Sequence, residues 1–198
     1  MWNRDDLKQF QVLGANLQNI MGGFGSFTLI ASKFLLEGGI GTPDDTMMAQ
    51  FEPARWYPLD RFLRIFDRIH AEFGNFTLRQ VGLHVIKAAQ LPPHINDINA
   101  MFGSMDVAYH LNHALNEQSM FDLATMKMSE GIGHYKPLIT PGTNKITVVA
   151  DTPYPCPFDE GVVAGAAQKF KPAATIVHDR AACRARNAPS CTYHVSWK

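Results

Sequence analysis

Apolar residues recur every three or four positions through the first two-thirds of the chain, which is the spacing of amphipathic helices. This pattern predicts helices over residues 5–21, 27–36, 57–73, 78–89 and 96–115. The third helix has the clearest apolar stripe, and a proline stands in its first turn, a position where proline favours helix. Its stripe consists of Leu59, Phe62, Leu63, Phe66, Ile69 and Phe73. The glycine-rich stretches 22–26 and 38–45 interrupt the helical pattern and predict loops.

The pattern changes after Met128. Residues 131–139 and 144–151 predict two strands of a hairpin joined at TPGT (140–143). Residues 158–170 predict a Gly- and Ala-rich helix, and 174–180 and 191–197 predict a second pair of strands. The predicted fold is α+β, with a helical N-terminal two-thirds packed on a four-stranded antiparallel sheet whose C-terminal part reads β-β-α-β-β.

The chain has 198 residues, which suffices for one domain with an appended helical segment. We predict an N-terminal helical segment over 1–50 and a ligand-binding domain over 51–198. Residues 5–36 are more apolar than a peripheral segment requires, which predicts a homodimer formed through them.

Charge and hydropathy exclude several classes of protein. Lys plus Arg equals Asp plus Glu, 18 each, so net charge gives no reason to expect nucleic acid or an anionic membrane as partner. Apolar runs fall short of the roughly 18–20 residues of a membrane span. The beginning MWNRDDLKQF is charged where a signal peptide is apolar, so we expect a cytoplasmic protein.

Three cysteines form the most definite pattern. Cys183 and Cys191 have seven residues between them and stand near the facing ends of the last predicted hairpin, and Cys156 lies in the proline-rich stretch PYPCPFDEG. Three thiols with His178 or Asp179 would complete a tetrahedral zinc site. The alternatives are three small buried residues, since free cysteine is often buried, or a regulatory disulfide between Cys183 and Cys191.

The stretches PYPCPFDEGVVAGAAQKF and HDRAACRARNAPSCTYHVSW resemble the C-terminal half of the 4-vinyl reductase domain. That family shares its fold with subunits of TRAPP vesicle-tethering complexes and forms part of the sensor domain of phenol- and xylene-responsive activators. The resemblance covers residues 130–197 and, more loosely, 55–115. It makes 51–198 a 4-vinyl-reductase-like domain.

The resemblance implies a structural zinc site. In the sensors, zinc is held by an upstream cysteine, a glutamate and two cysteines separated by seven residues. Cys183 and Cys191 match that pair, and Cys156 falls within a residue of the upstream position. Arg180 stands in the place of the glutamate and cannot ligate zinc, which leaves His178 or Asp179 as the fourth ligand.

A second candidate site lies in the middle of the chain. His110 and His113 are three positions apart on a predicted helix, and His134 lies on the first predicted strand. They predict either haem ligands, a polar lining for a pocket, or ordinary buried and surface histidines. Aromatic and methionine residues nearby are typical of a hydrophobic core and equally of an apolar ligand pocket. These pocket candidates are Trp56, Phe62, Phe66, Met105 and Tyr109.

The sequence therefore predicts a stand-alone sensor domain that binds a small hydrophobic, aromatic or tetrapyrrole ligand and signals to a partner protein. It has no phosphate loop, GxSxG or HExxH motif, and no dinucleotide fingerprint, so we expect a binding protein rather than an enzyme. The alternatives are a haem-binding sensor that uses His110, His113 or His134, an accessory protein in tetrapyrrole vinyl reduction, and a scaffold of the TRAPP-subunit kind.

Overall fold

The computed structural model describes residues 2–198. Its α-helices are α1 Gly14–Gly22, α2 Thr28–Glu37, α3 Leu59–Ala88, α4 Ile98–Leu111 and α5 Cys156–Phe170. Short 3-10 helices cover Arg4–Leu7, Gly25–Phe27 and Arg184–Arg186. The first eight strands are β1 Phe10–Leu13, β2 Thr42–Pro43, β3 Ala49–Gln50, β4 Trp56–Pro58, β5 His113–Leu115, β6 Gln118–Ser119, β7 Phe121–Asp122 and β8 Lys127–Met128. The last four are β9 Tyr135–Ile139, β10 Lys145–Ala150, β11 Thr175–Asp179 and β12 Cys191–Ser196.

The C-terminal sheet confirms the predicted fold class. Its strand order is β11-β12-β10-β9 and its pairs are antiparallel, with Val148 opposite Tyr193 and Ile176 opposite Val195. Along β10, buried residues alternate with more exposed ones, as expected for a strand with one face on the core. The buried face of the sheet packs against α4 and α5, which places the last helix between the sheet and α3.

A second sheet was not predicted. It has the order β4-β1-β5-β6 and places β1 between two antiparallel neighbours. The predicted helix over 5–21 is therefore wrong at its beginning: Phe10–Leu13 is a strand with alternating burial, and helix begins only at Gly14. Four residues are too few for the apolar period to distinguish a strand from a helical turn.

Two helix ends also differ from the sequence pattern. The pattern predicts separate helices over 57–73 and 78–89, whereas the structure has the single helix α3 with a kink at Gly74. This residue has φ 74° and ψ −178°, a conformation that glycine adopts readily and that lies outside the helical region. The predicted helix over 96–115 ends at Leu111, and residues 113–115 pair with β1 instead. His113 consequently lies on a strand and not on the helix that carries His110.

Glycines bring α3 and α5 into backbone contact. A Cβ at Gly161 would lie 2.1 Å from the carbonyl oxygen of Arg79, and one at Gly82 would lie 2.2 Å from that of Phe158. No side chain fits at either position, so the two helices pack closer than their larger neighbours would allow. Around this contact the core is built from fully buried aromatic and aliphatic residues such as Phe62, Phe66 and Tyr193.

No single helix among residues 2–198 is long and apolar enough to cross a membrane. The segments Gly14–Gly22 and Gly25–Glu37 pass by length and composition only as a pair, which is bent by 114°.

Substitution of Gly161 by alanine tests the contact between α3 and α5. The added methyl would overlap the Arg79 carbonyl, so we expect Gly161→Ala to lower the free energy of unfolding by about 1–3 kcal/mol, as overpacking does. Gly103 on α4 is the matched control, because a Cβ placed there would have no atom of residues 2–198 within 4 Å apart from its chain neighbours and the adjacent turns of its own helix backbone. Gly103→Ala should be neutral or stabilising by up to about 1 kcal/mol. Urea denaturation measures both, and equal stabilities of the two variants would contradict the prediction.

Candidate ligand cavity and cysteine cluster

A cavity of about 100 Å³ lies where α4 and α5 face each other beside the end of α3. Its lining is mainly apolar and aromatic, with a few polar groups, which is the usual composition of a small-molecule site. The lining residues used below are Met101, Met105, Tyr109, His113, Tyr135, Tyr154 and Phe158.

His113 carries the polar chemistry of this cavity. Its Nδ1 lies 2.7 Å from the carbonyl oxygen of Tyr109 and its Nε2 lies 2.8 Å from the hydroxyl of Tyr154. A carbonyl accepts only, so Nδ1 carries the proton and Nε2 accepts from Tyr154. Burial lowers the pKa of His113 to about 4. The imidazole is therefore neutral near pH 7, and its Nε2 lone pair is held by a single hydroxyl.

The other predicted pocket residues lie elsewhere. His110 is fully buried in the last turn of α4, and His134 stands just before β9, bonded to Asp106 and Glu130 at 2.8 and 2.7 Å. Phe62 and Phe66 are core residues whose rings pack on that of Tyr154. Trp56 is half-buried on β4. Of the eight predicted pocket residues, three therefore line the cavity: Met105, Tyr109 and His113. The other five do not line it, namely Trp56, Phe62, Phe66, His110 and His134.

The three cysteines converge. Cys156 at the start of α5 has its Sγ 3.2 Å from that of Cys191 and 3.9 Å from that of Cys183, and the latter two are 4.0 Å apart. A tetrahedral zinc with Zn–S bonds of about 2.3 Å separates its sulfurs by about 3.8 Å. The cysteine cluster (Cys156, Cys183, Cys191) therefore has the spacing of three thiolate ligands, with the Cys156–Cys191 pair somewhat closer.

His178 lies beside Cys191, outside the set of three sulfurs that all fall within 4.8 Å of one another. It is buried, and neither ring nitrogen has a hydrogen-bond partner among residues 2–198, although Nδ1 lies 3.6 Å from Oε2 of Glu160. Proximity to Cys191 and to Glu160 raises the pKa of His178 to about 9. Asp179 faces another way: its Oδ1 accepts the N–H groups of Ala181 and Ala182 and shapes the turn after β11.

A buried polar network joins the cavity to the cysteine cluster. The hydroxyl of Tyr135 donates to Asp159 at 2.5 Å, Thr152 donates at 2.9 Å, and the Arg184 guanidinium forms an ion pair with the same carboxylate. Arg184 also directs its backbone N–H and its Nε at the sulfur of Cys191, at 3.4 and 3.5 Å. Burial raises the pKa of Asp159 to about 6 against the opposing effect of Arg184, so the carboxyl is ionised near pH 7.

Sequence reasoning missed Asp159, Arg184 and Tyr154. Asp159 and Glu160 stand in the first turn of a helix, where acidic residues ordinarily interact with the helix dipole at the surface. One signal was present: Cys156 and Asp159 are three positions apart and so share a face of α5. Arg184 follows Cys183 directly, and its partner lies 25 positions away.

No protein-family model matches the sequence, and no curated protein matches it. Solved structures do match. The chain is similar to an H-NOX protein from S. oneidensis in the Fe(II)NO ligation state, with TM-score 0.63 and 15% identity over 94% of this chain and 99% of that one. A variant H-NOX protein from K. algicida, in the Fe(II) unliganded state, gives TM-score 0.61 and 10% identity over 94% and 96%. A structure titled for the modulation of heme redox potential through protein-induced porphyrin distortion gives TM-score 0.60 and 14% identity, over 93% of this chain and 99% of that one.

These similarities show that the chain has the H-NOX fold, and they correct the predicted resemblance. Residues 130–197 were expected to belong to a 4-vinyl reductase domain with TRAPP-like relatives, whereas the structures that match nearly the whole chain are H-NOX proteins. The resemblance rested mainly on two short stretches, residues 153–170 and 178–197, which are too short to fix the family. The zinc site it implied loses that support and depends on the geometry of the cysteines alone.

The buried ion pair is tested by removing one charge and then both. Asp159→Asn leaves the Arg184 cation buried without its counter-charge, so we expect a loss of about 3–5 kcal/mol in the free energy of unfolding at pH 7.5. The double variant Asp159→Asn, Arg184→Met should lose less than the sum of the two single variants. Denaturant titrations of all four proteins give the coupling energy, and strict additivity would mean that the two charges do not interact.

Proposed function

We propose that this chain is a sensor domain that binds haem in the cavity beside α4 and passes the state of that site to a partner protein by direct contact. The observation that carries the proposal is His113, a buried neutral imidazole at the cavity of an H-NOX fold. Haem would supply an iron for diatomic ligands such as the NO and CO bound in the similar structures.

The donor atoms fit an iron. A metal-bound histidine commonly donates its second ring nitrogen to a backbone carbonyl, which fixes the tautomer, and His113 already does so with Tyr109. Met101 and Met105 add thioethers to the same cavity, and methionine joins histidine as a haem ligand in some proteins. The aromatic walls formed by Tyr135, Tyr154 and Phe158 suit a flat apolar ring.

The volume is smaller than a tetrapyrrole needs. Ligand pockets for drug-sized molecules enclose about 300–1,000 Å³, against about 100 Å³ for this cavity. Haem entry therefore requires Tyr154 to leave His113 and the lining side chains to move apart. The ring of Tyr154 packs on those of Phe158 and Phe66, at centroid distances of 5.1 and 6.4 Å.

The same volume supports a second candidate function, a haem-free sensor for a small apolar or aromatic molecule. The cavity volume of about 100 Å³ is much nearer to the about 150 Å³ of an apolar cavity that binds benzene than to the volume of a haem site. In this alternative, His113 and Tyr154 form a polar pair that selects a ligand with one hydrogen-bonding group.

The homodimer predicted through residues 5–36 stays a prediction. The structural feature consistent with it is a set of exposed apolar side chains in this segment. The set includes Phe27, Leu29 and Ile30, which are 41%, 56% and 43% exposed.

Haem reconstitution separates the two candidate functions. We expect the full chain, mixed with ferric haem and then desalted, to retain near one haem per chain and to show a Soret band. His113→Gly should lose or shift that band because the imidazole ligand is removed, and added free imidazole should restore it. His94→Gly, at an exposed site, is the control.

A wild-type protein that retains no haem would overturn the proposal and favour the haem-free sensor. An unchanged Soret band in His113→Gly would remove His113 from the site. In either case, binding of small aromatic probes measured by calorimetry, and its loss in Met105→Trp, would identify the cavity as the ligand site, because the larger side chain fills it.

We also propose that the cysteine cluster and His178 hold a structural zinc ion. The support is the 3.2–4.0 Å spacing of the three sulfurs and the buried, partnerless ring of His178 among residues 2–198. Glu160 beside Nδ1 of His178 supplies the carboxylate that often orients a zinc-bound histidine. The N–H groups of Arg184 that face Cys191 would stabilise a thiolate ligand.

Metal analysis tests this site. We expect near one zinc per chain in the native protein, and its loss in Cys191→Ser and in His178→Gln. His194→Gln is the matched control, because His194 lies exposed on β12, the strand that pairs with the β11 strand carrying His178. Full zinc content in the double variant Cys183→Ser, Cys191→Ser would rule the site out.

A further inference from the structure

We propose that Asp106, His110 and His134 form a second metal site, the α4 site, which takes a divalent transition-metal ion independently of the cysteine cluster and of the cavity. Each of the three side chains offers one ligand atom, and those atoms all lie within 4.8 Å of one another. Two imidazoles and a carboxylate are a ligand set that zinc and ferrous iron accept in proteins, with further positions left for water.

The fold places these residues together for simple reasons. Asp106 and His110 are four positions apart on α4, so they share one face of the helix. His134 approaches from the segment before β9, where its backbone N–H donates to Oδ1 of Asp151 at 2.6 Å. Oδ1 of Asp106 accepts the backbone N–H of Tyr135 at 2.9 Å, which fixes the carboxylate between helix and sheet.

The donor atoms are oriented by partners outside the ligand set. Nε2 of His134 lies 2.7 Å from Oε2 of Glu130, and this leaves Nδ1, 2.8 Å from Oδ2 of Asp106, as the ligand atom. A carboxylate on the far nitrogen is the arrangement that commonly orients a metal-bound histidine. Without a metal ion, a hydrogen bond joins these two atoms of Asp106 and His134 directly.

His110 is the residue that a hydrogen-bond network alone does not explain. Its side chain is fully buried, its Nδ1 lies 2.8 Å from the carbonyl of Asp106 and 3.6 Å from Oδ1 of the same residue, and its Nε2 has no partner among residues 2–198. Its ring stacks at a tilt on that of His134, with centroids 5.0 Å apart. Because a carbonyl only accepts, Nδ1 of His110 carries the proton, and the partnerless Nε2 is the atom left for a metal ion. A buried imidazole nitrogen without a partner is costly.

The α4 site is partly exposed to solvent, as an exchangeable metal ion requires. The side chains of His134 and Asp106 are 13% and 23% exposed, whereas His110 lies fully in the interior. An ion there would have protein on one side and water on the other. It would tie α4, which carries Tyr109 and Met105 to the cavity, to the segment that leads into β9.

Cobalt(II) is the probe, because a cobalt ion bound by thiolates gives a sulfur-to-metal charge-transfer band and one bound by nitrogen and oxygen does not. We expect His134→Gln and Asp106→Asn each to bind one equivalent of Co²⁺ less than the wild-type full chain, with any thiolate band unchanged. Both substitutions keep the size of the side chain. His94→Gln, at an exposed site, is the control and should bind as the wild type does.

Glu130→Gln tests the site through a change in metal affinity. Because the Glu130 side chain is 77% exposed, we expect the variant to fold as the wild type does. Loss of such a second-layer partner costs about 10–100-fold in metal affinity, and we expect a weakening in that range. Equal Co²⁺ stoichiometry in the wild type, His134→Gln and Asp106→Asn, with circular dichroism showing folded proteins, would overturn the proposal and leave the cluster as a hydrogen-bond network only. The cavity and cysteine variants do not touch these residues, so the haem and zinc proposals stand or fall separately.

Discussion

A carboxylate and a guanidinium meet in the interior where α5 faces the segment after β11. Asp159 and Arg184 are both nearly inaccessible to water, and each would be costly to bury without the other. Their contact fixes the first turn of α5, which carries Cys156, against the segment that carries Cys183. Tyr135 and Thr152 donate to the same carboxylate from the sheet side, so helix, sheet and loop are joined at one charged group. The positions of the cysteines and of the Tyr135 wall of the cavity both depend on it.

The cavity and the cysteine cluster are consequently connected through hydrogen bonds and an ion pair. Tyr135 lines the cavity and donates to Asp159, and Arg184 binds Asp159 and points its N–H groups at Cys191. Each site therefore uses one shared carboxylate as a support. The H-NOX fold provides the framework, in which α4 and α5 face the C-terminal sheet.

The C-terminal third could be predicted because its strands alternate buried and exposed residues and its turns are marked by Pro and Gly. The sheet around β1 could not, because Phe10 and Val12 lie in a run whose apolar spacing also fits a helix. The convergence of Cys156 with the hairpin cysteines followed from strand ends meeting at one edge. The burial of Asp159 did not follow, since its partner Arg184 is brought close only by the tertiary fold. His110 and His113 were placed on one helix face, but α4 ends between them at Leu111.

The glycine contact between α3 and α5 has a consequence for where a ligand-induced change can occur. With carbonyl groups directly against the positions of Gly82 and Gly161, these helices have no side-chain layer that could repack to allow sliding. The second half of α3, α5 and the C-terminal sheet therefore behave as a fixed body. Widening of the cavity falls to α4 and to the elements before Gly74, where the chain already departs from helical geometry.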